Sequence, residues 1–330
     1  MNAKIVSYLW PMLTETTTEL TRAIAMLQTG GILAIPTETV YGLAANALDA
    51  HAVSEIYRIK QRPENHPLIL HFGKLNDVLP YVSEFPEDAE RLASHFWPGP
   101  LTLLLKKTEK VPGYLTGASP FVGVRIPAHP LLLTLLNQIS FPLAAPSANP
   151  YGMVSPTEVS HVVHQLGGKI PLILDGGPCC EGIESTIIGF QEDKAIVYRL
   201  GSLELDDIAT VLGYIPEIVH GSTEKPLTSG MVKFHYATQT PLYFMDEFPL
   251  YEGDAVYLFL FEIPSGFVGL NSRVLSENQS LKEVARNLYA FLHTADASGA
   301  PKIYIERPPN EGIGRSILDR LQRATAKFRA

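Results

Sequence analysis

Gly30-Gly31-Ile32-Leu33-Ala34-Ile35-Pro36-Thr37-Glu38-Thr39-Val40-Tyr41-Gly42-Leu43 places a helix stop, a short apolar run and a polar cluster in direct succession. Upstream, Leu20, Ala23, Ile24 and Leu27 recur at i, i+3, i+4 and i+7. That spacing is one face of a helix, and the paired glycines end it. Ile32 to Ile35 then reads as a strand running into Pro36. Ligands of open α/β sheets gather at such strand ends. Thr37, Thr39 and Tyr41 supply hydrogen-bonding groups there, and Gly42 permits close backbone approach. A plain turn with threonine caps would look the same.

Working outward, the alternation continues. Val53, Ile56, Tyr57 and Lys60 predict a helix, Leu68 to Phe72 a strand, Glu87 to Phe96 a helix and Leu101 to Leu105 a strand. Strands at Val122 to Ile126, Leu143 to Ala145, Leu172 to Leu174, Thr186 to Ile188 and Ile196 to Tyr198 complete a strand-rich α/β domain over residues 1–210. Residues 211–238 hold prolines, Gly221-Ser222-Thr223 and Ser229-Gly230 with weak periodicity, and read as a linker. Residues 239–330 resume the pattern, with strands at Pro241 to Met245, Ala255 to Phe261 and Lys302 to Glu306. Helices at Leu281 to Phe291 and Ile313 to Phe328 separate or follow them. A smaller Rossmann-like domain is expected, with a mostly parallel sheet covered on both faces.

Composition excludes several classes. The apolar runs Leu131 to Leu136 and Ala255 to Phe261 are too short to cross a bilayer, so no membrane association is expected. Met1 to Trp10 lacks the apolar core and cleavage site of a signal peptide. The two cysteines, Cys179 and Cys180, are adjacent; they can neither staple distant segments nor match zinc spacing. A cytoplasmic location is expected. Net charge is −8, and up to Thr210 there are 14 Lys+Arg against 21 Asp+Glu. Holding nucleic acid by its phosphates normally takes a basic excess, so no stable nucleic-acid complex is expected. A local basic pocket for a small anion is compatible with that balance.

Absent motifs narrow the chemistry further. There is no G-x-x-x-x-G-K-[ST] and no G-x-S-x-G, and Gly312-Ile313-Gly314 lacks the third glycine of a dinucleotide fingerprint. His161 and His164 are spaced like metal ligands without a third nearby, and read as a solvated helix face. No metal ligand from protein side chains is expected.

What remains lies at strand and helix ends. Lys60-Gln61-Arg62-Pro63 could clamp a phosphate or simply complement a helix dipole. Arg125 sits inside an apolar strand and needs a paired anion, either an internal carboxylate or a substrate carboxylate. Ala144-Ala145-Pro146-Ser147-Ala148-Asn149-Pro150 leaves room beside the backbone, with Ser147 and Asn149 as hydrogen-bonding groups. Ser155, Asp175-Gly176-Gly177, Glu184-Ser185-Thr186 and Arg199 follow.

Taken in order, P-T-E-T-V-Y-G-L, K-Q-R-P…H-P-L, W-P-G-P-L-T, V-G-V-R-I-P, A-P-S-A-N, D-G-G and E-S-T-I…R-L-G resemble the YrdC-type threonylcarbamoyl-AMP synthases. The match runs from Gly30 to about Leu203, and Pro226 to Ala237 with Glu311 to Ala326 resembles the long, two-domain form. The resemblance implies a twisted mixed sheet with a concave basic cavity. It also implies that threonine, bicarbonate (or CO2) and ATP give L-threonylcarbamoyl-AMP and pyrophosphate. Downstream tRNA threonylcarbamoyl-transferase proteins would use that product to modify an adenosine beside the anticodon. By the same resemblance, Thr37, His71, Arg125, Ala145 and Ser185 form the threonine site, with Arg125 on the carboxylate. Lys60, Arg62, Ser147, Asn149, Ser155 and Arg199 form the ATP site, and Tyr41 packs against substrate. Mg²⁺ would arrive with ATP.

Two departures from the family pattern stand out. Where the family reads S-P-G-M-K-Y-x-H-Y-x-P, this chain has Ser229-Gly230-Met231-Val232-Lys233-Phe234-His235-Tyr236-Ala237, without the proline and with an additional residue. His235 and Tyr236 are retained, so the linker is expected to fold over the ATP cavity as a lid. Phe121 stands where the family often has a small hydroxyl residue. An RNA-binding regulatory module and a carbamoyl-transfer enzyme of the hydrogenase-maturation kind are the alternative readings. The first conflicts with the acidic balance. The second calls for zinc-finger and acylphosphatase-like segments that this sequence lacks.

Overall fold

The predicted strand Ile32 to Ile35 forms over Leu33–Ile35 and turns back on itself, because Gly42–Asn46 pairs antiparallel with it. That second strand was hidden in the polar cluster. A Cβ on Gly42 would stand 3.3 Å from the Ala145 Cβ, a tight contact, so glycine eases the approach of the two segments there. The computed structural model describes residues 13–192, 194–219, 235–247, 253–269 and 271–329. The leader reading of Met1 to Trp10 and the motif stretch Ser229 to Phe234 lie outside the described residues.

Among those residues a mixed sheet runs, edge to edge, through Glu15–Thr17, Leu172–Leu174, Leu33–Ile35, Gly42–Asn46, Leu143–Ala144, Ile69–His71, Phe121–Arg125, Leu101–Lys106, Thr186–Gln191, Lys194–Arg199 and Glu217–Ile218. The last pair falls in the stretch read as linker, yet it joins Ile196 and Val197 in parallel. The helix Leu205–Leu212 likewise belongs to this first unit, packing Leu205, Ile208 and Leu212 into its core. A second, all-parallel sheet orders Leu242–Phe244, Ile303–Ile305, Val256–Phe259 and Asn271–Val274. No helix among the described residues is long and apolar enough to cross a membrane.

Local chemistry sets the helix that leads into the site. Asp49 caps Ala50–Lys60 by accepting from the His51 and Ala52 amides at 2.9 and 3.1 Å. Gln61 ends it in the left-handed region at φ 53°. Val53, Ile56 and Tyr57 face the core, and their spacing also turns Lys60 inward.

The two units share one apolar cluster. Val40, Val154 and Ile183 of the first pack with Tyr236, Val284, Leu288 and Tyr289 of the segment beyond residue 235. Gly182, at φ 75°, lets the helix Leu281–Asp296 come close: a Cβ there would meet the Arg286 carbonyl at 2.2 Å. Across the same seam His161 stacks on His293 with centroids 4.0 Å apart, while the Ser155 carbonyl meets the His293 Nε2 at 3.1 Å. The solvated-face reading of His161 is therefore corrected, since His161 is buried by the second unit.

Candidate active site

A small cavity of about 50 Å³ lies where Ile69–His71, Phe121–Arg125 and the Ala145-Pro146-Ser147 segment meet. His71 and Arg125 are register partners on adjacent parallel strands, which aims both side chains at the same space. Ala145 and Ser147 line one wall, Ser185 and Arg199 another, and Arg62 a third. His235 and Tyr236, from the end of the stretch read as linker, complete the lining. The fold thus brings to one cavity residues selected from the sequence that lie up to 174 positions apart, Arg62 to Tyr236.

Thr37, Tyr41, Lys60, Asn149 and Ser155 stand behind that wall. Thr37 Oγ1 lies 2.8 Å from Thr39 Oγ1, donates to the Val40 carbonyl at 2.7 Å, and accepts from the Thr39 and Val40 amides. It shapes the loop that presents Thr39 and Val40 to the cavity. Tyr41 is corrected from a substrate-packing role: its hydroxyl donates to the Gly177 carbonyl at 2.8 Å and accepts from the Gly176 amide. Lys60 Nζ donates to the carbonyls of Ser147 and Asn149, each at 2.6 Å, and so fixes the loop carrying Ser147. Ser155 Oγ donates to Glu184 Oε1 at 2.7 Å.

Arg125 finds an internal anion. Its Nη2 lies 2.7 Å from Glu38 Oε1 and donates to Thr39 Oγ1 at 3.1 Å, while its Nε donates to the Gly99 carbonyl. Glu38 and Thr102 escaped the sequence-based selection, and Thr39 and Glu184 stood in the selected segments without an assigned substrate. The rule that a buried arginine needs a carboxylate was the available signal, and Glu38 sits within the opening motif. Glu184 lines the cavity, and Thr102 Oγ1 lies 2.8 Å from Ser185 Oγ.

Three arginines, Arg62, Arg125 and Arg199, and one carboxylate, Glu184, line the cavity although the chain is acidic. Burial pushes the Lys60 pKa well down, and Arg62 adds to that. Burial, then Arg125, lowers His71 to about 3. Burial, followed by Arg62, Lys60, Arg199 and Arg320, holds His235 well below the usual histidine range. Both imidazoles are neutral near pH 7 and offer one donor and one acceptor each. Buried polar atoms without partners gather here: Glu38 Oε2, His71 Nδ1, Asn149 Oδ1, His235 Nδ1 and the Tyr236 hydroxyl. Such atoms are rare in folded cores and point to a ligand.

Fold and pocket together define a two-unit α/β protein with an arginine-lined cavity at the strand ends of its first unit. The family described as Sua5_yciO_yrdC, telomere recombination, matches residues 25–201, and the threonylcarbamoyl-AMP synthase C-terminal domain matches residues 203–326. The chain is 38% identical to the threonylcarbamoyl-AMP synthase of Pyrococcus abyssi, covering 92% of this chain and 93% of that one. It is 35% identical to that of Bacillus subtilis, over 93% and 92%. The crystal structure of Pyrococcus abyssi Sua5 complexed with L-threonine superposes with a TM-score of 0.85 at 34% identity, covering 95% of this chain and 97% of that one. The chain belongs to the Sua5/YciO/YrdC family, in the form that carries the additional C-terminal domain.

Proposed function

We infer that this chain is a threonylcarbamoyl-AMP synthase, joining L-threonine, bicarbonate and ATP into L-threonylcarbamoyl-AMP with release of pyrophosphate. The observation that carries the reading is the cavity itself. Arg62, Arg125 and Arg199, two neutral histidines and several unpartnered polar atoms face one space in a chain of this family.

The threonine half is Arg125 with His71, Ala145 and Ser185, and Thr37 holds its loop. The substrate carboxylate meets the Arg125 guanidinium beside Glu38, and the neutral His71 accepts or donates one hydrogen bond. Bicarbonate loses water to supply CO2, and the threonine amine adds to its carbon and gives up a proton. The resulting carbamate oxygen attacks the α-phosphorus of ATP as pyrophosphate leaves. Arg62, Arg199 and Ser147 stand on the nucleotide half, where charge develops on phosphoryl oxygens. Lys60, Asn149 and Ser155 keep that half in shape. Mg²⁺ enters as the counter-ion of the ATP phosphates; no group of three His, Cys, Asp or Glu among the described residues is placed to hold a metal.

At about 50 Å³ the cavity is far below the roughly 300–1,000 Å³ of small-molecule sites. Room for both substrates calls for the lining to open, and His235 and Tyr236, which match the linker's motif, are the part of it that this reading assigns to a lid. The lid is seated by the Ala237 amide donating to the Gly152 carbonyl at 2.9 Å, and by the Val154 amide donating to the Ala237 carbonyl at 3.1 Å. The labile adenylate then passes to tRNA threonylcarbamoyl-transferase proteins in the cytoplasm, without a stable nucleic-acid complex on this chain.

The test is direct: incubate the pure protein with ATP, threonine and bicarbonate and follow the products by mass spectrometry. Threonylcarbamoyl-AMP with matching pyrophosphate is expected. Salt-sensitive RNA binding with no ATP consumption would replace this reading.

A further inference from the structure

Arg320, on the helix Gly314–Ala326 of the second unit, is completely buried against the first. Its Nε donates to Glu184 Oε2 at 3.2 Å, its Nη1 reaches Asp319 Oδ2 at 3.2 Å, and its guanidinium carbon lies 5.3 Å from the Tyr236 ring centre. The Nη2 has no partner. Tyr289, also of the second unit, donates its hydroxyl to both oxygens of the same Glu184 carboxylate at 3.0 and 3.2 Å. Ser316 anchors the helix by donating to the Gly201 carbonyl at 2.7 Å.

Glu184 and Tyr236 both line the active-site cavity, and Arg320 stands behind both. Glu184 immediately precedes Ser185, whose carbonyl accepts from Arg199 Nε and Nη2 at 3.1 and 2.9 Å. Burial lowers the Arg199 pKa, Tyr236 and Glu184 oppose that shift, and Arg320 reinforces it. A carboxylate among cations that bind phosphate would compete with the phosphate unless its charge is directed elsewhere. Stability alone does not explain a buried arginine with an idle Nη2, because apolar residues of similar volume would serve as well or better.

We propose that Arg320 is a positioning residue of the active site: with Tyr289 it binds the Glu184 carboxylate from behind, so that Glu184 shapes the cavity without neutralising its nucleotide half. The proposal rests on the functional reading above, and it gives the second unit a part in the reaction.

The experiment measures ATP and threonine affinities by calorimetry, and steady-state kinetics, on Arg320→Met, Arg320→Lys and the double variant Arg320→Met with Glu184→Gln. Arg320→Met should weaken ATP binding about tenfold, the scale of one charge-assisted contact, and leave threonine binding within about threefold. Adding Glu184→Gln should restore most of the ATP affinity, because the competing charge is gone. A merely structural role predicts that ATP and threonine affinities fall and recover together. A loss confined to ATP and reversed by Glu184→Gln is therefore the expected result. Equal losses for both substrates, or no rescue, overturn the proposal. Should Arg320→Met fail to fold by thermal melting, the double variant and Arg320→Lys decide. A double variant that folds and binds ATP like the wild type supports the proposal. Arg320→Lys that recovers folding while weakening ATP and threonine equally defeats it. Calorimetry separates this outcome from failure of the activity itself, since ATP affinity is read without turnover.

Discussion

Glu38 and Arg125 form an ion pair of 2.7 Å with both side chains 5% exposed, and Arg125 lines the cavity. Glu38 Oε2 has no partner, so the pair is only half-satisfied on the carboxylate side. Removing one partner of such a pair leaves the other as a buried charge.

Arg125→Ala should weaken threonine binding far more than ATP binding, and destabilise the fold by about 3–5 kcal/mol. Calorimetry with each substrate and a urea melt check this. Arg125→Met combined with Glu38→Gln should recover much of the stability while threonine binding stays lost. Unchanged affinity for both substrates in Arg125→Ala would put the threonine carboxylate elsewhere.

Tyr236 separates catalytic from structural work. Its hydroxyl is buried and without a partner, so Tyr236→Phe removes an unsatisfied group and should melt at or above the wild-type temperature. Turnover should nevertheless fall several-fold if the hydroxyl meets substrate in the closed lid. Wild-type turnover in this variant would confine Tyr236 to packing.

Acid should destabilise this protein well before carboxylates titrate. His71 is lowered to about 3 by burial and Arg125, His161 to about 4 by burial and His164, and His293 to about 4 by burial and His161. All three lie below the usual 6.5, so the unfolded chain binds protons that the folded chain refuses. Their contribution is complete above about pH 6.5 and is lost as pH falls towards 4 and then 3. Each costs up to about 1.4 kcal/mol per pH unit in that window. Urea melts at pH 7 and pH 5 should differ accordingly, and His293→Asn should flatten the dependence. Equal midpoints at the two pH values would contradict the assignment.

A chain ending after Val219 keeps Leu205–Leu212 and Glu217–Ile218, the last elements of the first sheet's unit. It loses Tyr236, Tyr289 and Arg320, and it exposes Val40, Val154 and Ile183. It should fold with a lower melting temperature and show little turnover. Full activity in that truncation would exclude both the lid and the contribution of the second unit.

Periodicity located most helices and strands within a residue or two, as at Glu87–Phe96 and Leu172–Leu174. It missed Gly42–Asn46 because small residues buried on both faces give no alternation, and Pro130–Leu136 because a continuous apolar run has no readable face. It also cut the first unit short at residue 210, since the two-residue strand Glu217–Ile218 is too brief to leave a pattern. In the site, motif order named Arg62, His71, Arg125, Ser147, Ser185 and Arg199, all on the cavity wall. It did not distinguish those from Lys60 and Tyr41, whose polar ends turn to backbone groups.

The opening stretch by itself determined a strand ending in a polar loop, and the ordered motifs determined the family. Both are carried by local propensity and by residue types at fixed spacing. Only the tertiary structure decided which side chains face the cavity, that Glu38 is the anion of Arg125, and that Arg320 and Tyr289 reach Glu184 from two helices of the second unit. Those partners lie 87, 136 and 105 residues apart. A contact over that separation is fixed by how the two units pack, and packing has no signature in the local spacing of residues.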